Sequence, residues 1–181
     1  MISEKENIAA QSRVCAYFDS ISLRYTEEEK EKIEVADFGL GRLEEMGLQI
    51  LTYINTKRCC AKELVLFPNQ ICPEHSHPTV EGVLGKEETF RCRSGIIYLY
   101  TAGPSIEKML GSIPIDKKIY FTVFHEIILH PGEQYTIQPN TLHWFQGGKE
   151  GAVISEFSTS SNDDTDIFTD PNIIRKPIIK S

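Results

Sequence analysis

The pattern of apolar and polar positions divides the chain near residue 46. Before it, apolar side chains recur near a helical period, whereas from about Leu48 short apolar, β-branched and aromatic runs alternate with Pro, Gly and Asn turns. The first part predicts amphipathic helices, and the second predicts short antiparallel strands. The fold class that follows is all-β, a sandwich or small barrel with N-terminal helices. The runs interpreted as strands are LQILTYI, KELVLF, GIIYLYT, IYFTVFHEIIL, QYTI and AVISEF.

Two capping boxes mark the starts of the predicted helices. Ser3 precedes Glu6, and Thr26 precedes Glu29, with the spacing at which a cap and the third helical residue exchange hydrogen bonds. We predict an amphipathic helix after Ser3. A second, charged helix is expected after Thr26, ending around residues 37–39.

Length and composition restrict the class of protein. The 181 residues are 40% hydrophobic and 25% charged, as is typical of a globular chain, and we predict a single domain, 1–181. Within it we expect a helical extension at about 1–46, a β-barrel at about 47–158 and a tail at 159–181 that docks on the barrel. The formal net charge of −7 and the lack of a basic run argue against nucleic acid as a partner.

The start of the chain and the cysteines indicate the compartment. The first residues mix both charge signs and lack the apolar core of a signal peptide, and no run of about 18 apolar residues occurs. We therefore expect a cytoplasmic protein without a membrane partner. Five cysteines, an odd number that includes an adjacent pair, predict reduced thiols. Cys72 and Cys92 are predicted to be buried, with thiolate ligation of a metal as the alternative.

The strongest candidate chemistry lies in the stretch CPEHSHPTVEGVLGKEETFRCRSG. His75 and His77 are one residue apart, so both imidazoles project to the same side of an extended backbone. Glu88 follows His77 by eleven positions, and His143 lies in the later segment PGEQYTIQPNTLHWF. Three imidazoles and one carboxylate suit manganese, iron, cobalt, nickel or zinc. A bare His-x-His is also common in exposed loops, so the assignment depends on the wider pattern.

That wider pattern resembles the paired motifs of the cupin superfamily. The first block is His-x-His, then Glu88, then six residues and Gly95, and the second is Gly132, Gln138, Asn140 and His143. The resemblance implies a cupin-type jelly-roll barrel of antiparallel strands whose interior holds one metal ion. We name its four predicted ligands the ligand cluster: His75, His77, Glu88 and His143.

Two departures from the cupin pattern have structural consequences. The ten residues between His77 and Glu88 exceed the usual gap, which predicts a longer loop over the mouth of the barrel. Asn140 replaces a glycine, and Asn tolerates the positive φ that the glycine would adopt. Glu87 and Glu88 are adjacent, so only one of them can point to the metal, and the spacing to Gly95 favours Glu88.

Several separate blocks resemble the D-lyxose isomerase family of cupins. They cover roughly the C-terminal two-thirds of the chain and read GKEETFRCR, TVFHEI, PGEQYTIQPNTLHWFQ and VISEFSTSSNDDTDIFTDP. The resemblance implies an intramolecular oxidoreductase that interconverts D-lyxose and D-xylulose, and also D-mannose and D-fructose, through an ene-diol. It further implies one divalent ion, Mn²⁺, and a small-molecule sugar as substrate. Cupin barrels often pair, so we expect a homodimer.

Isomerisation requires a base that moves a proton between C1 and C2, and an electrophile for the developing oxyanion. Glu156, a carboxylate within the apolar run AVISEF, is the predicted base, mainly from the resemblance; a place on a solvated strand face is the alternative. Lys86 has the strand parity of Glu88 and would stabilise the oxyanion or pass a proton between O1 and O2, unless it is an ordinary loop lysine. Asp166 is predicted to bind sugar hydroxyls, with Phe168 closing over the sugar.

Three other functions stay open from the sequence alone. A cupin phosphosugar isomerase would need a phosphate site, for which Arg91 and Arg93 are candidates. A mononuclear iron dioxygenase would use the same four ligands. A non-catalytic sugar-binding cupin would keep the ligands without needing a base. His125 is a candidate substrate contact, and Trp144 is predicted to pack in the interior.

Overall fold

The computed structural model describes residues 1–176 and 178–180, so Pro177 and Ser181 of the predicted tail lie outside the described residues. The helices are α1 (Glu4–Ser20) and α2 (Glu27–Glu31), and short 3₁₀ helices span Ile115–Tyr120 and Asp163–Thr165. The strands are β1 (Ile2–Ser3), β2 (Glu34–Ala36), β3 (Leu48–Asn55), β4 (Cys60–Leu66), β5 (Ile71–Ser76), β6 (Glu88–Thr101), β7 (His125–Leu129), β8 (Gln134–Ile137), β9 (His143–Ser158), β10 (Ile167–Phe168) and β11 (Ile179–Lys180).

One antiparallel sheet curls into a half-barrel. In the described part of the chain the sheet has nine strands. Six of them follow the order β10-β5-β9-β4-β3-β2, while β6 pairs along β9, and β7 and β8 each pair with β6. The long strands β6 and β9 pair from Glu88↔Ser158 to Thr101↔His143. Leucine, isoleucine and phenylalanine side chains fill the interior of the curl. The predicted all-β, cupin-type architecture is confirmed.

Both capping boxes are present, but the second helix is shorter than predicted. Ser3 and Thr26 each exchange hydrogen bonds with the glutamate three residues on. α1 packs its apolar stripe against the outer face of the sheet. The predicted extension of α2 to residues 37–39 is wrong, because Ile33 and Val35 alternate into that same core and their segment pairs with β3 as strand β2.

The run IYFTVFHEIIL forms a strand only in its second half. A 3₁₀ helix ends at Tyr120, and β7 begins at His125. Between them, the buried carboxylate of Glu74 accepts hydrogen bonds from the backbone amides of Thr122 and Val123, at 2.6 and 3.0 Å. A side chain therefore takes the amide donors that a neighbouring strand would have used.

The runs GIIYLYT and AVISEF belong to longer strands than the sequence indicates. β6 continues through Gly95 with register shifts on either side, at Cys92/Ser94 and Gly95/Ile97. Gly95 has φ +75°, and a Cβ added there would lie 2.1 Å from the carbonyl oxygen of Gly151. The glycine thus permits a bulge in a continuous strand.

Gly95→Ala is expected to destabilise the fold by roughly 2–5 kcal/mol. About 1–2 kcal/mol comes from the positive φ, and about 1–3 kcal/mol comes from the clash with the strand opposite. Gly82→Ala is the matched control, because Gly82 has a similar φ of +80° but open space around its Cα. Urea unfolding of the two variants separates the contributions; equal losses of unfolding free energy would contradict the close approach at Gly95.

The tail lies on the strand that carries the first histidines. β10 pairs with β5 through Ile167↔Ser76 and Phe168↔His75. Phe168 and Ile173 pack against the interior core. The division of the chain near residue 46 stays a prediction. In residues 1–176 and 178–180, no helix has the length and apolarity needed to cross a membrane.

Candidate active site

The four residues of the ligand cluster converge inside the barrel. His75 lies on β5, Glu88 begins β6 and His143 begins β9, while His77 follows directly after β5. Their candidate ligand atoms all lie within 4.8 Å of one another, and all four side chains are buried. His75 and His143 face each other in register across β5 and β9. The structure therefore brings together the residues that the two sequence motifs predict.

Two of the histidines are fixed in the tautomer that binds a metal through Nε2. His75 Nδ1 lies 2.8 Å from the carbonyl oxygen of Pro73, and His143 Nδ1 lies 2.9 Å from that of Thr141. A carbonyl oxygen can only accept, so Nδ1 carries the proton and Nε2 keeps its lone pair. Nε2 of His143 is buried and lies 3.0 Å from Glu88 Oε1, but with the proton on Nδ1 it has none to donate to that oxygen. A divalent ion is a partner that fits this nitrogen.

His77 has an acidic group on each ring nitrogen. Asp166 Oδ1 lies 2.6 Å from Nδ1, and Glu88 Oε1 lies 3.2 Å from Nε2. Burial alone would lower the pKa of His77, but the two carboxylates outweigh it and raise the pKa to about 9. The two carboxylates therefore favour a positive charge at the imidazole ring of His77. Asp166 thus contacts His77, a member of the ligand cluster, on the ring nitrogen opposite Glu88. Its role in binding sugar hydroxyls stays a prediction.

Lys86 connects the ligand cluster to Glu156. Its Nζ lies 2.6 Å from Glu88 Oε2 and 3.1 Å from Glu156 Oε1, and all three side chains are buried. Burial opposes the charge on Lys86, but Glu156 and Glu88 outweigh it and raise the pKa of this ammonium. Burial likewise opposes the charge on Glu88, yet Lys86 and His77 hold its pKa well below the ordinary range. Lys86 is therefore not a solvated loop lysine. Of the two adjacent glutamates, Glu87 is exposed and Glu88 is buried.

A second buried lysine at the site is absent from the sequence predictions. Lys62 on β4 pairs in register with Glu156, and its Nζ lies 3.0 Å from Ser161 Oγ and 3.4 Å from Asp163 Oδ1. Burial would raise the pKa of Asp163, but Lys62 and Arg175 lower it. Lys62 lies two residues before the core residue Leu64, so both side chains are on the same face of the strand. This spacing is a sequence signal that could have predicted the inward position of Lys62.

The inner cavity opens towards a larger depression at the mouth of the barrel. The inner space, beside His75 and Glu88, measures about 30 Å³, which is room for about one water molecule. The outer depression measures about 520 Å³ and shares His77, Lys86 and Asp166 with the inner cavity. Its volume falls within the roughly 300–1,000 Å³ of small-molecule sites. Lys86 and Asp166 thus lie between the surface and the ligand cluster.

The loop over the mouth is held at both ends. Asn140 has a φ of +63°, which confirms the predicted glycine-like turn. Its backbone N–H donates a hydrogen bond to His77 O at 3.0 Å. At the other end, Thr159 and Glu87 exchange two hydrogen bonds, at 3.0 and 3.1 Å. Between these ends, Val80 and Val83 form a small hairpin through two backbone hydrogen bonds. The predicted long loop therefore has a defined shape.

Several other candidates lie outside the cavity. Arg91 donates to Gln134 Oε1, and neither Arg91 nor Arg93 lines the inner cavity, so the candidate phosphate site is not at the ligand cluster. His125 is also outside it, with Nδ1 3.1 Å from Pro104 O, and its role as a substrate contact stays a prediction. Trp144 is fully buried and stacks in the interior, as predicted.

The cysteines have no role in the ligand cluster. Among the described residues all five are free thiols. Cys72 borders the inner cavity, but it is not among the residues whose ligand atoms converge in the cluster, and burial raises the pKa of its thiol well above the ordinary value. Burial also raises the pKa of Cys92, to about 11. Both are buried residues rather than thiolate ligands, as the sequence analysis favours.

Fold and site together define a cupin-type enzyme with a buried candidate metal centre. Residues 24–181 match the family model described as D-lyxose isomerase. The chain is 59% identical over 170 residues to the D-lyxose ketol-isomerase of Thermofilum sp. (strain ex4484_79), with 94% of each chain covered. It is 57% identical over 180 residues to the D-lyxose/D-mannose isomerase of Thermosediminibacter oceani, with 99% of each covered. The chain belongs to the D-lyxose isomerase family and is an aldose–ketose isomerase.

Solved structures support the fold independently. The L-ribose isomerase of Acinetobacter sp. DL28, in complex with L-ribose, superposes with a TM-score of 0.81 over 99% of this chain and 98% of that one, at 15% identity. The L-ribose isomerase of Cellulomonas parahominis, with L-psicose, gives a TM-score of 0.79 at 15% identity, with 99% and 98% covered. At such identities the comparison shows a shared fold.

Proposed function

We propose that this isomerase interconverts D-lyxose and D-xylulose, and D-mannose and D-fructose as a second pair. The names of the two relatives support these substrates. The observation that carries the proposal is the buried contact of Lys86 with both Glu88 and Glu156, at 2.6 and 3.1 Å. It joins a candidate metal ligand to a base, and a protein that only binds sugar needs no base.

The ligand cluster would hold one divalent ion, for which we propose Mn²⁺. Two neutral imidazoles with fixed tautomers, a third on an acidic partner and one carboxylate form a donor set that suits it. When bound, the ion would polarise the carbonyl and the adjacent hydroxyl of the open-chain sugar. A homodimer and a cytoplasmic location stay predictions.

Glu156 and Lys86 divide the proton and charge transfers between them. Glu156 takes the proton from C2 of the aldose, and the C2–H electron pair becomes the C1–C2 double bond of the ene-diol. The carbonyl pair moves to O1, where the ammonium of Lys86 stabilises the developing charge. Lys86 gives a proton to O1 and takes one from O2, so that the O2 electron pair forms the C2 carbonyl, and the electron pair of the C1–C2 double bond takes back the proton of Glu156 at C1. Both groups are buried, so bulk water is excluded from the exchange.

The direct test compares metal-free protein with protein reloaded with Mn²⁺. Each form is incubated with D-lyxose, D-mannose and their ketoses, and products are separated by chromatography. Conversion of D-lyxose to D-xylulose that requires the metal is expected. If metal-loaded protein converts none of the four sugars, the proposed substrates are wrong.

Lys86→Met is expected to lower kcat by roughly 10²–10³-fold, because a preorganised cation next to the developing oxyanion is lost. The matched control is Lys149→Met, since Lys149 is exposed on β9 and lines neither cavity. Steady-state kinetics with D-lyxose check both variants. Equal activity of the Lys86→Met and Lys149→Met proteins would remove Lys86 from the mechanism.

A further inference from the structure

The two carboxylate oxygens of Glu156 have different surroundings. Oε1 lies 3.1 Å from Lys86 Nζ, accepts a hydrogen bond from Ser158 Oγ at 3.2 Å, and lies 4.0 Å from Lys62 Nζ. Within the described residues, Oε2 has no hydrogen-bond partner. Glu156 is buried and borders the inner cavity beside the ligand cluster. One oxygen is therefore held by the protein, and the other is free to accept a proton.

The last torsion of a glutamate is broad, so the plane of its carboxylate can turn at little cost. Cations that lie on one side of the carboxylate limit this rotation, because each attracts the charged oxygen nearest to it. Lys86 cannot serve this purpose alone, because it also faces Glu88 and lies on the substrate side of the cavity. A second fixed cation beside Oε1 would keep the carboxylate in place throughout turnover.

Lys62 has the position and rigidity that this task requires. It lies opposite Glu156 on the neighbouring strand, and its side chain is only 6% exposed. Ser161 Oγ and Asp163 Oδ1 hold its ammonium from the other side, at 3.0 and 3.4 Å. Asp163 is in turn paired with Arg175. A buried ammonium is costly unless such partners surround it, so this lysine is fixed beside Glu156.

We infer that Lys62 is a positioning residue that holds Oε1 of Glu156 and thereby presents Oε2 to the substrate. The inference rests on the proposed function, in which Glu156 is the base. Lys62 lines the inner cavity together with Glu156, and in this inference it acts through Glu156 rather than on the sugar. The tail segment that carries Ser161 and Asp163 accordingly takes part in orienting the base, by way of this lysine.

The test replaces Lys62 by Met, which keeps the length and removes the charge, and by Arg, which keeps the charge. For Lys62→Met we expect kcat to fall roughly 10- to 100-fold, the effect of a slightly misplaced catalytic group. KM and the metal content of one ion per chain should stay unchanged. Lys62→Arg should recover most of the loss. Lys149→Met, which replaces an exposed lysine on β9 that lines neither cavity, is the matched control and should retain full activity.

Three results would overturn the inference. They are an unchanged kcat in Lys62→Met, a raised KM at constant kcat, which would place Lys62 on the substrate, and equal losses in the Met and Arg variants. If Lys62→Met does not fold, Ser158→Ala removes an independent donor to the same oxygen. We then expect a smaller fall in kcat at constant KM, and unchanged kinetics would count against the assignment of Oε2.

A crystal structure of Lys62→Met separates this inference from the proposed substrates. We expect the carboxylate of Glu156 to rotate or to occupy two orientations, whereas in Lys62→Arg it keeps Oε1 against Lys86 and Ser158. This readout does not depend on any sugar. An unchanged carboxylate in Lys62→Met would overturn the inference, whereas a wild-type protein that converts no sugar would overturn the proposed function alone.

Discussion

Glu156→Gln is expected to lower kcat for D-lyxose by roughly 10²–10⁴-fold, the usual contribution of a general base. The amide keeps the size of the side chain but cannot take a proton from C2. The ligand cluster does not include Glu156, so one metal ion per chain should remain bound. Kinetics with D-lyxose, together with metal analysis by mass spectrometry, check both parts of the prediction.

Glu63→Gln is the matched control for this variant. Glu63 is also a buried carboxylate in the same sheet, but it pairs with Ser155, one residue from the Lys62↔Glu156 pair, and so lies on the opposite face. It should keep near-normal kcat. Comparable losses in the two variants would mean that neutralising a buried carboxylate simply weakens the fold, and Glu156 would lose its assignment as the base.

Removal of the divalent ion by a chelator is expected to abolish conversion of D-lyxose, and Mn²⁺ should restore it. The bound ion should also stabilise the fold, because the ligand cluster forms only in the folded chain. At a free-metal concentration 100 times the dissociation constant, the gain is about 2.7 kcal/mol. Thermal unfolding with and without Mn²⁺ measures this gain independently of activity.

Histidine variants locate the ion. His143→Gln should lose both the bound metal and the thermal shift, since Nε2 of His143 is a buried lone pair within the ligand cluster. His125→Gln and His130→Gln should keep both, because these histidines lie outside the cluster. A thermal shift that survives in His143→Gln but disappears in His130→Gln would place the ion elsewhere.

The first two members of the ligand cluster could be predicted from local information, whereas Glu88 and His143 are assigned through the resemblance to the cupin motifs. His75 and His77 are two positions apart, so they point to the same side of an extended backbone. This follows from the spacing alone and does not depend on their burial in the barrel. The positive φ of Asn140 was predictable for the same reason, since few residues other than Asn and Gly adopt it readily. The capping boxes likewise need only a four-residue window.

The rest of the site depends on contacts that are distant in sequence. β6 and β9 continue through glycines that resemble strand ends, because the close approach of Gly95 to Gly151 exists only after the strands pair. The tail is polar and lacks a period, so nothing local places Asp163 beside Lys62. The shortened α2 and the irregular segment before β7 have the same origin: tertiary partners, such as Glu74, claim the backbone groups.

The clamped loop over the mouth has a consequence for the evolution of the family and for engineering. The hydrogen bonds that tie Asn140 to His77 and Thr159 to Glu87 fix the loop ends beside the site, independently of the chain between them. Insertions in a loop with fixed ends cost little free energy, since the closure entropy grows only slowly with length. Residues 80–84 can therefore vary in length and composition while the ligand cluster stays in place, whereas Gly85 must stay glycine because a Cβ there would lie 1.9 Å from His77 O. Libraries confined to the Val80–Val83 hairpin offer a route to new sugar preferences on an unaltered catalytic centre.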